Sequence, residues 1–112
     1  MIAVIFEAEI SPSAQQDYLQ IAAALAVQLQ QLDGFISIER FQSLSTPGRL
    51  LSLSFWRDET AVAAWRNMPE HRAAQQQGRA HIFSQYRLRV AAVLRDYDGH
   101  ARQQAPADSQ RS

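Results

Sequence analysis

The sequence contains neither cysteine nor lysine among its 112 residues. Without cysteine, disulfides, thiolate metal ligands and a cysteine nucleophile are all excluded. Without lysine, a Schiff-base mechanism and a P-loop are excluded as well. All 11 basic side chains are arginine, and they balance 11 acidic ones. A net charge of zero argues against nucleic acid or an anionic membrane as the main partner, because both attract a surplus of positive charge.

The chain also lacks a run of about 18 apolar residues, the length that a membrane-spanning helix needs. Its first ten residues, MIAVIFEAEI, have no basic start and carry Glu7 and Glu9, so they indicate a strand and not a signal peptide. We therefore expect a cytoplasmic protein. At this length the chain forms one domain with a modest core, which dimerisation would enlarge.

Alternation of apolar and polar side chains predicts four strands, over residues 2–10, 35–43, 49–57 and 80–97. Between the first two strands, Ser11 and Pro12 are typical of a helix start, and Gly34 is typical of a helix end. The apolar stripe of this helix consists of Tyr18, Ala22, Leu25, Leu29 and Leu32. We expect that stripe to be core.

The stretch over residues 52–78 holds both tryptophans and a histidine that is a candidate site residue: Trp56, Trp65 and His71. It runs from the third strand into a helix that Asp58 caps. Pro69 interrupts this helix, because proline removes a backbone hydrogen bond, and a second short helix follows. We expect such a broken helix to form the wall of a cavity.

The order β-α-β-β-α-β predicts an α+β fold of the ferredoxin-like type, a four-stranded antiparallel sheet with the helices on one face. The other face would expose isoleucine and phenylalanine side chains to water. A second copy of the sheet is the simplest cover, which predicts a homodimer through the sheet faces. Residues 1–97 form the predicted domain, and the polar residues 98–112 form a tail that we expect to be disordered.

Three stretches, FISIERFQS, PGRLLSLSFWRDETAVAAWRNMPEHRAAQQQGR and YRLRVAAVLRDY, resemble the antibiotic biosynthesis monooxygenase superfamily. The resemblance spans roughly residues 2–97. It implies a dimeric α+β barrel with a pocket in each subunit between helices and sheet. Some members oxidise polycyclic phenols with O2 without a metal or flavin, so no cofactor is expected, and other members bind and degrade haem.

The resemblance also implies roles for particular residues. Trp65 matches the helix tryptophan that lines the pocket, and His71 lies where the quinone-forming branch can place a tyrosine. The haem-degrading branch uses an asparagine in the first strand and a histidine ten positions after the tryptophan. Here the first strand has no asparagine, and the residue ten positions after Trp65 is Gln75 instead of a histidine. This departure argues against haem degradation and leaves haem binding through His71 open.

The candidate catalytic residues are His71 and Arg87. A histidine has a pKa near neutrality and could take a phenolic proton, while Arg87 or Arg89 could match a last-strand arginine and neutralise a phenolate. The candidate substrate contacts are Trp65, Trp56, Arg89 and Tyr86. In the alternative structural interpretation the aromatic residues are packing, and the arginines pair with Glu7, Glu9 or Glu39 across strands. His81 and His100 share no ligand spacing, so no metal site is predicted.

Three functional hypotheses follow. The first is a cofactor-independent monooxygenase that acts on an electron-rich aromatic or phenolic molecule. The second is a dimer without enzymatic activity that binds a small apolar ligand or acts in a stress response. The third is a haem-binding protein. They differ in whether O2 is consumed, whether ligands quench tryptophan fluorescence, and whether hemin changes its absorbance on mixing.

Overall fold

The structure, a computed structural model, describes residues 1–77 and 83–109. Within these ranges the elements are β1 (Ile2–Ile10), α1 (Gln15–Leu29), β2 (Phe35–Gln42), β3 (Arg49–Trp56), α2 (Glu59–Arg66), α3 (Pro69–Gln77) and β4 (Phe83–Ala92). The order confirms the predicted one, with α2 and α3 as the broken second helix. Residues 80–82 of the predicted last strand and 110–112 of the predicted tail lie outside the described residues. None of the helices in the described ranges is long and apolar enough to cross a membrane.

The strands form one antiparallel sheet in the order β2-β3-β1-β4. Two cross-strand rows of this sheet position the candidate site. The first row comprises Ile38, Ser54, Val4 and Val90. The second row comprises Arg40, Ser52, Phe6 and Leu88. This sheet, with its helices packed over these rows, confirms the ferredoxin-like α+β fold.

Two apolar clusters hold the helices on the sheet. In the first, Tyr18 and Ala22 of α1 pack on Ala8 and Ile10 of β1. In the second, Leu29 of α1 and two α2 residues pack on β1 and β3, and its buried members are Val4, Leu29, Trp56, Ala61 and Val62. Burying each large side chain stabilises the fold by about 1.5–3 kcal/mol. Three residues of the apolar stripe predicted for the first helix, Tyr18, Ala22 and Leu29, are therefore part of the core.

The prediction that side chains alternate strictly between the two faces of β2 is wrong at the first residues of this strand. The register with β3 shifts between Phe35 and Ser37, which marks a bulge. Because of the extra residue, Phe35 and Ile38 pack against the same cluster. The Phe35 ring lies 5.2 Å from the Trp56 ring. Ile36, which alternation places beside Ile38, is instead 52% exposed.

The start of α1 also differs from the prediction. Pro12 lies in a short 3-10 turn, Pro12–Ala14, and α1 itself begins at Gln15. The Ser11 side chain makes no hydrogen bond to the backbone of that turn. Its hydroxyl lies 3.3 Å from the Ser13 hydroxyl instead. The Ser11 hydroxyl is satisfied by the hydroxyl of another serine. It therefore does not cap the backbone N–H groups at the helix start, as the prediction had it.

The start and the break of the second helix are as predicted. The Asp58 Oδ1 atom accepts the backbone N–H of Ala61 at 2.9 Å. This bond and, after it, the Arg57 guanidinium hold the pKa of Asp58 below its usual value. The α2 helix ends at Arg66 and α3 begins at Pro69, because proline has no N–H with which to continue the hydrogen-bond ladder.

The last strand ends at Ala92, before the predicted end at residue 97. Residues 98–109, which the composition predicts to be disordered, form turns. The Asp98 carboxylate accepts the backbone N–H groups of His100 at 2.7 Å and Ala101 at 2.6 Å, and Ala105 is buried. Side-chain acceptors of this kind satisfy local backbone amides, and low hydrophobicity by itself does not reveal them.

Gly34 in the α1–β2 connection provides a test of the fold. Its φ is +88°, and a Cβ there would lie 2.5 Å from the Ala61 Cβ. Gly34→Ala combines a left-handed backbone with a clash, so we expect it to lower the free energy of unfolding by about 1–3 kcal/mol. Urea denaturation measures the change. Gly99→Ala is the control, because a Cβ there meets nothing within 4 Å, and equal midpoints for the two variants would contradict the prediction.

Candidate functional site

A largely apolar cavity of about 180 Å³ lies between the sheet and the helices. Its floor comes from the two cross-strand rows, and its roof comes from α1, α2 and α3. Four β4 residues line it, and three of them, Tyr86, Leu88 and Val90, are 47–49% exposed, while Phe83 is partly buried. The cavity therefore opens along β4. An apolar hollow with a few polar groups is the usual form of a small-molecule site.

Three aromatic rings in contact lie at one end of the cavity, and two of them, those of Trp65 and His71, line it. Trp56 at the end of β3 is fully buried, and Trp65 of α2 stacks on it with ring centroids 4.8 Å apart and planes at 21°. His71 of α3 lies against the other side of this pair, with its ring centroid 4.3 Å from that of Trp65. The Trp56 Nε1 atom donates to the Ser54 hydroxyl at 3.0 Å, which fixes the plane of the buried indole. The break at Pro69 lets α3 place His71 beside Trp65.

The environment of His71 favours a neutral imidazole. Burial lowers the pKa of His71 from its ordinary value of 6.5, because an apolar environment disfavours the charged form. Its Nδ1 atom is shielded from solvent and has no hydrogen-bond partner among the described residues. A buried nitrogen without a partner costs about 1–3 kcal/mol. This unsatisfied nitrogen belongs to a side chain that lines the cavity.

The other end of the cavity is polar, which the sequence analysis did not predict. Arg40 of β2 and Tyr18 of α1 both line the cavity. The Arg40 Nε atom donates to the Tyr18 hydroxyl at 3.3 Å. Arg40 lies in the row of Ser52, whereas Trp65 stacks over Trp56, four residues further along β3. At about 3.3 Å per residue, the two ends are about 13 Å apart along the strand.

The structure brings together three of the predicted site residues. Trp65, His71 and Tyr86 all line the cavity. Trp56 was predicted as a substrate contact, but it has no exposed surface and supports Trp65 from behind. It is core, as the alternative interpretation had it, because Phe35 and Trp65 cover its ring on two sides.

The structure places Arg87 and Arg89 on the opposite face of the sheet. Side chains alternate along β4, and Tyr86, Leu88 and Val90 take the cavity face. The Arg89 Nη1 atom pairs with Glu7 at 3.2 Å, and Arg87 lies directly opposite Glu7 in the register. The cavity of this chain therefore lacks both arginines, and the cross-strand pairing that we gave as the alternative is present between Arg89 and Glu7.

Sequence reasoning missed Arg40 and the site role of Tyr18. The sequence did contain a signal for Arg40. It lies two residues after Ile38 in the strand, so alternation places its charged side chain on the same face as Ile38, the face that packs against the helices. Metal ligation has no support in the described part of the chain, where no three His, Asp or Glu side chains could hold an ion. His81 lies outside that part, and His100 is exposed in the C-terminal turns.

The fold and the cavity define a small ferredoxin-like α+β protein with an apolar cavity between its sheet and its helices. The sequence model described as antibiotic biosynthesis monooxygenase matches residues 1–77. That match covers more than half of the chain, so the chain belongs to the antibiotic biosynthesis monooxygenase family.

Known relatives agree with this assignment. The chain is 48% identical over 93 residues to a protein named jasmonate monooxygenase ABM from Pyricularia oryzae, a match that covers 83% of this chain and 43% of that protein. The chain spans about half the length of the curated relatives it matches.

Solved structures share the fold at low identity. Rv0793 from Mycobacterium tuberculosis superposes with a TM-score of 0.77 at 20% identity, covering 87% of this chain and 98% of that one. SnoaB, a cofactor-independent oxygenase from Streptomyces nogalater, superposes with a TM-score of 0.74 at 12% identity, covering 85% and 94%. At these identities the likeness shows the fold alone.

The lowered pKa of His71 makes stability depend on pH. The unfolded chain binds a proton at this site near pH 6.5, and the folded chain binds it only at lower pH. The stabilisation is therefore fully present above pH 6.5 and is lost as the pH falls through the folded pKa. Urea denaturation over about pH 5–8 measures it.

We expect His71→Phe to reduce this decrease in unfolding free energy toward low pH. His100→Gln is the control, since His100 is exposed, and it should keep the wild-type dependence. An unchanged pH dependence in His71→Phe would show that His71 titrates alike in the folded and unfolded chains.

Proposed function

We propose that this chain is a cofactor-independent monooxygenase that oxidises an electron-rich, phenol-like small molecule with O2 in the cavity. The observation that carries the proposal is the unpartnered, buried Nδ1 atom of His71 in an apolar cavity against Trp65. Family membership supports it. So do two similar proteins, one named a jasmonate monooxygenase and the other a cofactor-independent oxygenase.

His71 acts first as a general base. A neutral imidazole takes the proton of the phenolic or enolic hydroxyl, and the negative charge spreads to a ring carbon. That carbon reduces O2 and forms a C–O bond, which gives a hydroperoxide after His71 returns its proton. Loss of water then breaks the O–O bond together with a C–H bond and leaves a carbonyl group. A CH2 group and O2 become C=O and H2O, so the substrate supplies all the electrons.

The apolar walls contribute to each step. They exclude the water that would compete for the anion or protonate it before it meets O2. The face of Trp65 offers a flat, apolar surface on which an aromatic ring can stack. The lowered pKa keeps His71 unprotonated, and therefore able to accept a proton, at neutral pH. Tyr86, half-exposed on β4, lies where the cavity opens.

The test is O2 uptake with anthrone, whose CH2 group would become the second carbonyl of anthraquinone. Because a general base contributes about 10²–10⁴-fold, His71→Ala should lower kcat by that factor. Trp65→Ala should raise KM, because it removes the stacking wall, and should also lower kcat, because it removes the ring that supports His71. An oxygen electrode and the absorbance of the product give independent readings.

His100→Ala is the matched control, because it also replaces a histidine but lies outside the cavity. It should keep the wild-type rate. Wild-type kcat in His71→Ala would remove this residue from the mechanism. Tryptophan quenching by phenols without any O2 uptake would instead favour a binding protein without enzymatic activity.

We also propose that the chain forms a homodimer through the sheet face opposite the helices. The supporting observation is a set of apolar side chains that are only partly buried on that face: Ile5, Phe41, Leu51, Leu53 and Phe55. All three helices pack on the other face. A second copy would cover these side chains with an identical surface, as a two-fold symmetric interface requires.

Leu53→Glu tests the dimer. Its neighbours in the register are Ile5 and Glu39, so two copies of the variant would bury additional negative charge between the sheets. Such burial costs several kcal/mol, while in a separated subunit the carboxylate stays hydrated. Light scattering should give a dimer mass for the wild type and a monomer mass for Leu53→Glu.

Val27→Glu is the control, because Val27 is 65% exposed on the outer side of α1. This variant should remain dimeric. A wild type with the mass of one chain would overturn the proposed assembly.

A further inference from the structure

The polar end of the cavity contains a positively charged group that the proposed oxidation does not use. Arg40 lies on β2 with its side chain on the cavity face and is partly buried. Its Nε atom donates to the Tyr18 hydroxyl at 3.3 Å. None of the ion pairs formed by the described residues includes Arg40. By contrast, Arg49 on the neighbouring strand pairs with Glu9 at 2.7 Å on the opposite face.

We infer that Arg40 binds the carboxylate of an elongated apolar ligand, so that the cavity takes an amphipathic carboxylic acid. This inference rests on the proposed function, since it names the substrate class of the same cavity. The Tyr18 hydroxyl holds one edge of the guanidinium, which leaves the Nη atoms for the ligand. A guanidinium presents two parallel N–H groups to a carboxylate, and such charged pairs are about twice as strong as neutral hydrogen bonds.

The charge of the cavity supports an anion. Its charged lining residues, within the described ranges, are Arg40 and Arg66, and no aspartate or glutamate lines it there. Burial keeps His71 neutral at the far end. The remaining walls are mostly apolar, so an anion near Arg40 is shielded from water and attracted more strongly than at an exposed arginine.

The length of the cavity supports an elongated ligand. The Arg40 row and the Trp56 row are about 13 Å apart along β3, at about 3.3 Å per residue. A carboxylate at Arg40 therefore lets an apolar body cross the next row, that of Ile38, Ser54 and Val4, and reach the face of Trp65. In this orientation the carbon to be oxidised lies beside His71. Arg40 at one end thus positions the ligand, and His71 at the other end transfers the proton.

A purely structural role for Arg40 makes a different prediction. If Arg40 only ties Tyr18 to β2, its replacement would lower stability and leave the choice between charged and neutral ligands unchanged. Ligand preference is therefore the decisive measurement.

The experiment compares 4-phenylbutanoate with 4-phenylbutanamide, which has the same shape and no charge. Isothermal titration calorimetry gives both Kd values, and circular dichroism checks the folding of each variant. We expect the wild type to bind the acid about 10- to 100-fold more tightly than the amide, the range for hydrogen bonds to charged groups. Added NaCl should weaken binding of the acid alone, a readout that needs no variant.

Arg40→Met should lose the preference for the acid while its affinity for the amide stays within about twofold, since only the charged hydrogen bonds are removed. Arg40→Lys, which keeps the charge without the fork, should keep part of the preference. Arg49→Met is the matched control, because it removes an arginine from the opposite face, and it should keep the full preference.

Equal affinities for acid and amide in the wild type, no binding of either, or an acid preference that survives in Arg40→Met would overturn the inference. The outcome is separable from that of the oxygenase test. A preference that depends on Arg40, without O2 uptake from anthrone, would keep this assignment and remove the oxidation. O2 uptake that depends on His71, without a preference for the acid over the amide, would keep the oxidation and remove the assignment of Arg40.

Discussion

The stack of Trp56, Trp65 and His71 is the interaction on which the candidate site depends. Trp56 is fully buried at the end of β3, and its Nε1 atom is satisfied by Ser54. Because packing and this hydrogen bond both hold the indole, it sets the plane on which Trp65 stacks at 4.8 Å. Trp65 in turn supports the imidazole at 4.3 Å. A base held in this way keeps one orientation in an apolar site, which a flexible loop would not provide.

Because side chains alternate along each strand, the two faces of the sheet have different roles. One face lines the cavity, and the other carries ion pairs and partly exposed apolar residues. Even-numbered side chains of β1 and β3, and of β4 from Tyr86 onward, face the helices, and several of them line the cavity. Odd-numbered side chains carry cross-strand ion pairs, such as Glu7 with Arg89, beside partly exposed apolar residues. Exposed ion pairs contribute little stability. Their value on this face lies in register and, in the proposed dimer, in specificity.

Much of the fold was predictable because local signals and tertiary packing agree. Alternation in β1, the Asp58 cap and the break at Pro69 each have a cause within a few residues of the chain. The errors occur where neighbours decide. The β2 bulge sends Phe35 toward Trp56, and the Asp98 turns order a polar segment. A bulge adds one residue without any change in composition, so alternation cannot place it.

For the site, the sequence by itself determined which chemistry was available: one broken helix that carries a tryptophan and a histidine, and no cysteine or lysine. The tertiary structure decided which side chains meet. It put Trp56 behind the cavity wall, turned Arg87 and Arg89 to the other face, and brought Arg40 beside Tyr18 across 22 positions of the chain. The physical reason is that the face of a strand residue depends on register and bulges, and long-range packing fixes both.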